Sequence, residues 1–220
     1  MANVWIIGYG CCSKMSQDAF ALQSGDLLFQ DLDGSPFCDA VEKVTRGYHG
    51  AALTHVGIVA YNPEGKVIVL EAGSEGVTAT PIVTFLNRSH DSNGKPKVLV
   101  GRLIRRYRRL IEPAIAEALA LKGKPYDDLF DIQNDAYYCS ELVYVCFRIA
   151  NGGEPLFELQ PMTFVDPDTK DTFPAWKAYF TELRADIPEG KPGLNPGAIS
   201  RSSVLRIVHA YGLPAGWKGR

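Results

Sequence analysis

The sequence has 220 residues, 46% hydrophobic and 22% charged, with a formal net charge of −2. That length suits one medium domain with its own core, and the balanced charge gives no reason to expect nucleic acid as a partner. No stretch approaches the roughly 18 apolar residues of a membrane span, so no transmembrane segment is expected.

The first residues read "MANVWIIGYGCC". An apolar stretch ending in Gly-Cys has the outline of a lipoprotein signal, but it is short and lacks a basic start. Residues 1–23 are therefore expected to form an N-terminal extension, and residues 24–220 a single domain with a Pro- and Gly-rich C-terminal region. A cytoplasmic location is the default expectation, with the cell envelope as the alternative if the N-terminus is the remnant of a signal.

Residues 25–30, "GDLLFQ", read as a strand launched from a Gly-Asp turn. Residues 39–50 read as a short helix and a loop. "HVGIVAY" (55–61) and "KVIVLEA" (66–72) flank "NPEG", whose Pro and Gly mark a tight turn with Gly65 in the left-handed region. The pair is a β-hairpin. "KVLVGRLI" (97–104) is a further strand. "EPAIAEALALKG" (112–123) is a helix with Pro113 in its first turn and Gly123 past its end. "CSELVYVCFRIANGG" (139–153) is a second helix, closed by Asn151 and Gly152. "PAWKAYFTEL" (174–183) is a short amphipathic helix, and "SSVLRIVHAYG" (202–212) a final strand or helix. Strands and helices mix without a βαβ rhythm, so the fold class is α+β. The five arginines of "RLIRRYRRL" (102–110) read as a solvated face, with a phosphate or lipid-headgroup site as the lesser reading.

Five cysteines, an odd number, make no disulfide framework. Cys11, Cys12, Cys38, Cys139 and Cys146 form no CxxC pair and stand at no ligand spacing from a histidine. No metal site and no cofactor are expected.

The hairpin turn sets a register. Pairing Asn62 with Lys66 brings Gly57 opposite Glu71 and His55 opposite Gly73. Side chains alternate between faces, so His55 and Glu71 share a face and stand diagonally within reach of each other. Gly57 between them offers no side chain to block the contact. A slip of one residue separates them. The opposite face, Val56, Ile58, Ala60, Ile68, Leu70 and Ala72, is wholly apolar.

Cys139 opens the second helix on the stripe formed by Leu142, Val143, Cys146, Ile149 and Ala150. If that helix packs on the His55 face, the thiol meets the imidazole. A helix N-terminus and an imidazolium both lower a thiol's pKa, and the thiolate is the nucleophile. His55 is then the general base and acid, and Glu71 orients it. Free N–H groups at the helix start serve an oxyanion. Glu141, two residues on, is explained by the helix dipole. Cys146 reads as core.

The ordered set "GDLLFQ", "THVGIVA", "VLEA", "GKPYDDLF", "YYCSELVY" and "IPEGKPGLNPG" resembles the permuted papain-like cysteine hydrolases of the YiiX/YebB type, in the NlpC superfamily, over most of 24–200. The resemblance implies a circularly permuted papain-like fold, an antiparallel sheet packed against helices, with the histidine strand before the cysteine helix. It implies His55 as base, Cys139 as nucleophile and Glu71 as the residue that orients the histidine, and it puts Tyr126 beside the cleft. Thr54 and Tyr138 flank the catalytic pair and are expected to contact substrate. The expected reaction is cleavage of an amide in a small peptide, a cell-wall peptide or an acylated amine, through an acyl-cysteine. The alternatives are a thiol acyltransferase or lipid esterase with the same triad, and a non-catalytic binding module on this fold.

Overall fold

A computed structural model describes residues 20–32, 34 and 36–219. Cys11, Cys12 and most of the expected N-terminal extension lie outside the described residues. In chain order the elements are β1 (Leu27–Gln30), α1 (Pro36–Val44), β2 (His55–Tyr61), β3 (Val67–Gly73), β4 (Gly76–Pro81), α2 (Ile82–Leu86), β5 (Val98–Leu103), α3 (Ile111–Ala120), α4 (Cys139–Ala150), β6 (Gln160–Pro161), α5 (Pro174–Leu183), β7 (Pro192–Gly193), α6 (Pro196–Ser200) and β8 (Leu205–Ala210). Six strands form one sheet in the order β4-β3-β2-β1-β5-β8, and every adjacent pair is antiparallel. β6 and β7 form a small second sheet. No described helix is long and apolar enough to cross a membrane.

The "NPEG" turn does what its residues dictate. Gly65 sits at φ +73°, where a side chain is strained. The Asn62 N–H donates to the Lys66 carbonyl at 3.0 Å, and the Asn62 side chain accepts the Lys66 N–H at 2.8 Å. The strands then pair Tyr61 with Val67 through Ile58 with Leu70, which is the expected register. Gly57 is needed where it stands. A Cβ there comes within 2.4 Å of Val69 Cγ1 and 3.2 Å of Glu71 Cβ.

The sheet buries both faces. On one, Val56, Ile58, Ala60, Leu70 and Ala72 pack with Leu142, Val143, Cys146 and Phe147 of α4 and with Ala114 and Ala118 of α3. On the other, Val59 and Val69 pack with Leu28, Val98, Val100 and Phe85 of α2. The body of α4 thus lies on the face opposite His55, not on the His55 face. The all-apolar face is the one that an apolar helix stripe seals best. The stripe itself runs through Leu142, Val143, Cys146 and Phe147, which are fully buried, whereas Ile149 is 44% exposed. At 3.6 residues per turn Ile149 stands roughly 90° around the helix from the centre of that stripe.

Two other expectations shift, and one choice is decided. α1 begins at Pro36, ahead of Asp39. The C-terminal "LRIVHA" is a strand paired with β5, not a helix. The arginine run is not uniformly solvated: Arg102 is half-buried and grips the buried Asp26 through Nε at 2.7 Å and Nη2 at 2.8 Å. Arg105, Arg106, Arg108 and Arg109 are exposed. β4 and α2 carry no strong sequence signal, because "GVTATP" places polar and small residues on an edge strand.

Candidate active site

His55 is the first residue of β2 and Glu71 sits near the end of β3, on the same face. His55 Nε2 lies 2.6 Å from Glu71 Oε2, and both residues are buried, at 7% and 1% exposure. The carboxylate has further partners. Arg88, just after α2, donates through Nη1 to Oε2 at 2.7 Å and through Nη2 to Oε1 at 2.6 Å. Thr80, on the same-face position of β4, donates its hydroxyl to Oε1. Burial works against the Glu71 charge, but the hydrogen bonds from His55, Arg88 and Thr80 hold its carboxyl down at about 2. The imidazole rests against Phe85 at 5.9 Å between ring centroids. Gln30, opposite His55 in the β1–β2 pairing, donates to the Phe85 carbonyl at 2.9 Å and fixes that ring's backbone.

Cys139 is the first residue of α4 and is 7% exposed. The preceding residue, Tyr138, has extended backbone at φ −89°, ψ 168°, so the helix starts sharply at the cysteine. Although the helix body covers the other face, its first residue reaches the start of β2. There the thiol meets both the His55 ring and the Val56 backbone N–H, and Ser140 Oγ lies 3.7 Å away. Because Nε2 of His55 is on Glu71, Nδ1 is the nitrogen left for the thiol. Burial opposes the thiolate, but hydrogen bonds and charge from His55, with Ser140 and the Val56 N–H, bring Cys139 below its ordinary value. Burial likewise opposes the imidazolium, and the bonds to Cys139 and Glu71 outweigh it, raising His55 above its ordinary value. The two shifts favour the same state, a thiolate–imidazolium pair.

Cys139, Thr54, Tyr126 and Tyr138 line one cavity of about 350 Å³. Two of the hydroxyls there are committed to the walls. Thr54 Oγ1 accepts the Leu32 N–H at 2.9 Å, and Tyr138 Oη accepts the Leu194 N–H at 3.1 Å. Burial, and then the charge at Cys139, push the Tyr126 hydroxyl well above its ordinary value, so it stays a neutral O–H. Val41, Phe130, Met162, Phe164 and Trp176 give the cavity a large apolar lining. Phe130 packs edge-on to Tyr138 at 5.3 Å and to Trp176 at 5.7 Å. It does so from φ +53°, a left-handed conformation rare for a bulky side chain.

Glu141 stands in the first turn of α4, where its side chain caps the helix start. It is 1% exposed, burial raises its carboxyl to about 8, and it accepts the Tyr138 N–H at 3.3 Å. Cys146 is core, with its thiol pushed up to about 12 by burial. Cys38 also lines the cavity. Arg88 and Thr80 were not legible in the sequence, since both belong to the unassigned stretch between the hairpin and β5. Of the apolar lining, Met162, Phe164 and Trp176 fall in the aromatic-dense stretch 162–180, whereas Val41 and Phe130 lie elsewhere in the chain.

The family model for permuted papain-like amidases of the YaeF/YiiX type, family C92, matches residues 21–209. The chain belongs to this family. It is accordingly a cysteine peptidase/amidase-type hydrolase with the permuted papain-like fold. No curated protein matches its sequence. Among solved structures, the metalloprotein YiiX from Escherichia coli O157:H7 shares the fold at a TM-score of 0.69, covering 86% of this chain and 98% of its own, with 24% identity. Within the described residues of this amidase, no three His, Cys, Asp or Glu side chains are grouped to hold a metal ion.

Proposed function

We propose that this amidase works through a Cys139-His55-Glu71 triad and that its substrate is an acylated amine with an apolar acyl group. The observation that carries the reading is that Cys139, whose thiol neighbours His55, lines the same cavity as Phe130, Met162, Phe164 and Trp176. An apolar wall of this kind favours a hydrocarbon chain over a charged cell-wall peptide, at about 25 cal/mol for each Å² of apolar surface covered.

The Cys139 thiolate attacks the amide carbonyl carbon and forms a tetrahedral oxyanion. The unpaired backbone N–H at the start of α4 and the Tyr126 hydroxyl are the donors available to that oxygen. The C–N bond breaks as His55 Nδ1 gives its proton to the departing amine. A thioester on Cys139 remains. Water then attacks the thioester carbonyl while His55 takes its proton, releasing the carboxylic acid and the thiol. Through both steps Glu71 holds the ring by Nε2 and stabilises the imidazolium.

The test is a series of N-acyl amides of one amine, from acetyl to hexadecanoyl, compared with short peptides. The reading expects KM to fall with chain length until the cavity is filled, and Cys139→Ala to abolish turnover. Preference for peptides over every acyl amide contradicts the substrate class. Equal turnover by Cys139→Ala contradicts the nucleophile.

A further inference from the structure

Two of the exposed arginines in the 102–110 run border a concave part of the surface. Arg106 and Arg109 line a second cavity, of about 610 Å³. Arg201, just past α6 and nearly a hundred residues away in the chain, lines it with them, together with the hydroxyls of Ser202 and Ser203. One carboxylate, Glu158, also lines this cavity. Among the described residues none of the three arginines is in an ion pair. Arg109 Nη1 donates to the Arg106 carbonyl at 2.9 Å, and the Arg106 guanidinium lies over the Tyr107 ring at 5.4 Å. These contacts leave the charge of both side chains uncompensated.

The arginine cavity adjoins the catalytic one. Gln160, Leu194, Ala198 and Arg201 line both. Arg201 therefore stands at the junction, with the apolar wall and Cys139 on one side and Arg106 and Arg109 on the other. Leu194 is held in place by the Tyr138 hydroxyl beside the nucleophile. Three guanidinium groups against one carboxylate form a net positive site, and guanidinium matches phosphate and carboxylate oxygens in charge and geometry.

We propose that the substrate carries an anionic group, a phosphate or carboxylate, that seats between Arg106, Arg109 and Arg201 while its apolar part fills the cavity at Cys139. This rests on the acyl-amide reading above and deepens it: the substrate is an anionic amphiphile rather than a neutral fatty amide. The sites are exposed and salt-screened, so the gain is modest and falls with ionic strength.

Two experiments separate the inference from the reading beneath it. The first measures binding of dodecyl phosphate, dodecanoate and dodecanol to the Cys139→Ala protein, which needs no chemistry. Both anions are expected to bind at least about tenfold more tightly than the alcohol at low salt, a difference of about 1.4 kcal/mol. That advantage shrinks to about one in the triple variant R106Q/R109Q/R201Q and persists in part in R106K/R109K/R201K. A circular-dichroism melt checks that each variant is folded. Equal binding of the three amphiphiles, or an advantage that survives in the glutamine variant, overturns the inference. The second measures turnover of N-dodecanoyl ethanolamine against its O-phosphate, with and without free inorganic phosphate. A lower KM for the phosphate ester supports an anion carried by the substrate. Activation of the neutral amide by free phosphate instead assigns the cavity to a separate anion and overturns the proposal. Failure to cleave either amide, with anion-selective binding intact, overturns the acyl-amide reading and not the anion site.

Discussion

Arg88 holds both oxygens of Glu71 at 2.7 and 2.6 Å, so the carboxylate that steadies His55 is itself fixed from the far side. A carboxylate bound only by imidazole is free to rotate about its last torsion. Bound by a planar fork, it presents Oε2 to His55 in one orientation. Arg88 in turn stacks on Phe85 at 5.2 Å, the ring that backs the imidazole. The arrangement is closed: histidine, carboxylate, guanidinium and phenyl each limit the others.

In the proposed triad Arg88 is a positioning residue. Arg88→Ala is expected to lower kcat roughly ten- to a hundredfold with KM little changed, because the substrate cavity is untouched while the imidazole loses its fixed geometry. Arg88→Lys is expected to recover only part, since an ammonium cannot hold two oxygens as a fork. Steady-state kinetics on the three proteins checks this; a rise in KM at constant kcat goes against it.

The pH profile follows from the paired shifts. Cys139 lies below the ordinary thiol value and His55 above the ordinary imidazole value. Activity as kcat/KM is expected to rise as the thiol ionises, at a pH below the ordinary thiol value, and to fall as the imidazolium is lost at about 9. Glu71→Gln removes a charge that holds the imidazolium. Its alkaline limb is expected at lower pH, and its plateau to narrow. The rate of Cys139 alkylation by iodoacetamide across pH reads the same pair without substrate.

Acid stability carries a separate signature. Glu71 is depressed from 4.5 to about 2 in the fold. A depressed carboxylate contributes its stability fully above its unfolded pKa and loses it as pH falls through the folded value. The window is therefore pH 4.5 down to 2, and the contribution lost across it is about 3 kcal/mol. Urea midpoints measured at pH 6 and at pH 2.5 are expected to differ more for wild type than for Glu71→Gln. Equal differences in the two proteins indicate that Glu71 is not the group involved.

Much of the core of this site could be read from local chemistry. "NPEG" determined a register, the register determined which residues share a face, and one face then joined His55 to Glu71. What failed was the packing of α4. Period alone shows that a helix has a buried stripe, not which side of a sheet it covers. The thiol still reached the imidazole because Cys139 sits at the helix start and His55 at the strand start. Arg88 and Thr80 stayed hidden for a different reason. Thr80's strand is a polar edge, and the helix before Arg88 is five residues long. Neither has enough periodic apolar signal to be seen before the sheet is assembled. The arginine run had a mixed outcome, with Arg102 answering Asp26 and two others lining one cavity with Arg201 only through the tertiary fold.

The triad is tested most directly by trapping the acyl-enzyme. The protein is mixed with an N-dodecanoyl p-nitroanilide, quenched in acid within the first turnovers, and measured as an intact mass with peptide mapping. The account predicts one dodecanoyl group, on Cys139, in wild type, slower loss of that adduct in Glu71→Gln, and none in Cys139→Ala. Hydrolysis that proceeds at the same rate in Cys139→Ala, or an acyl group found on another residue, contradicts it.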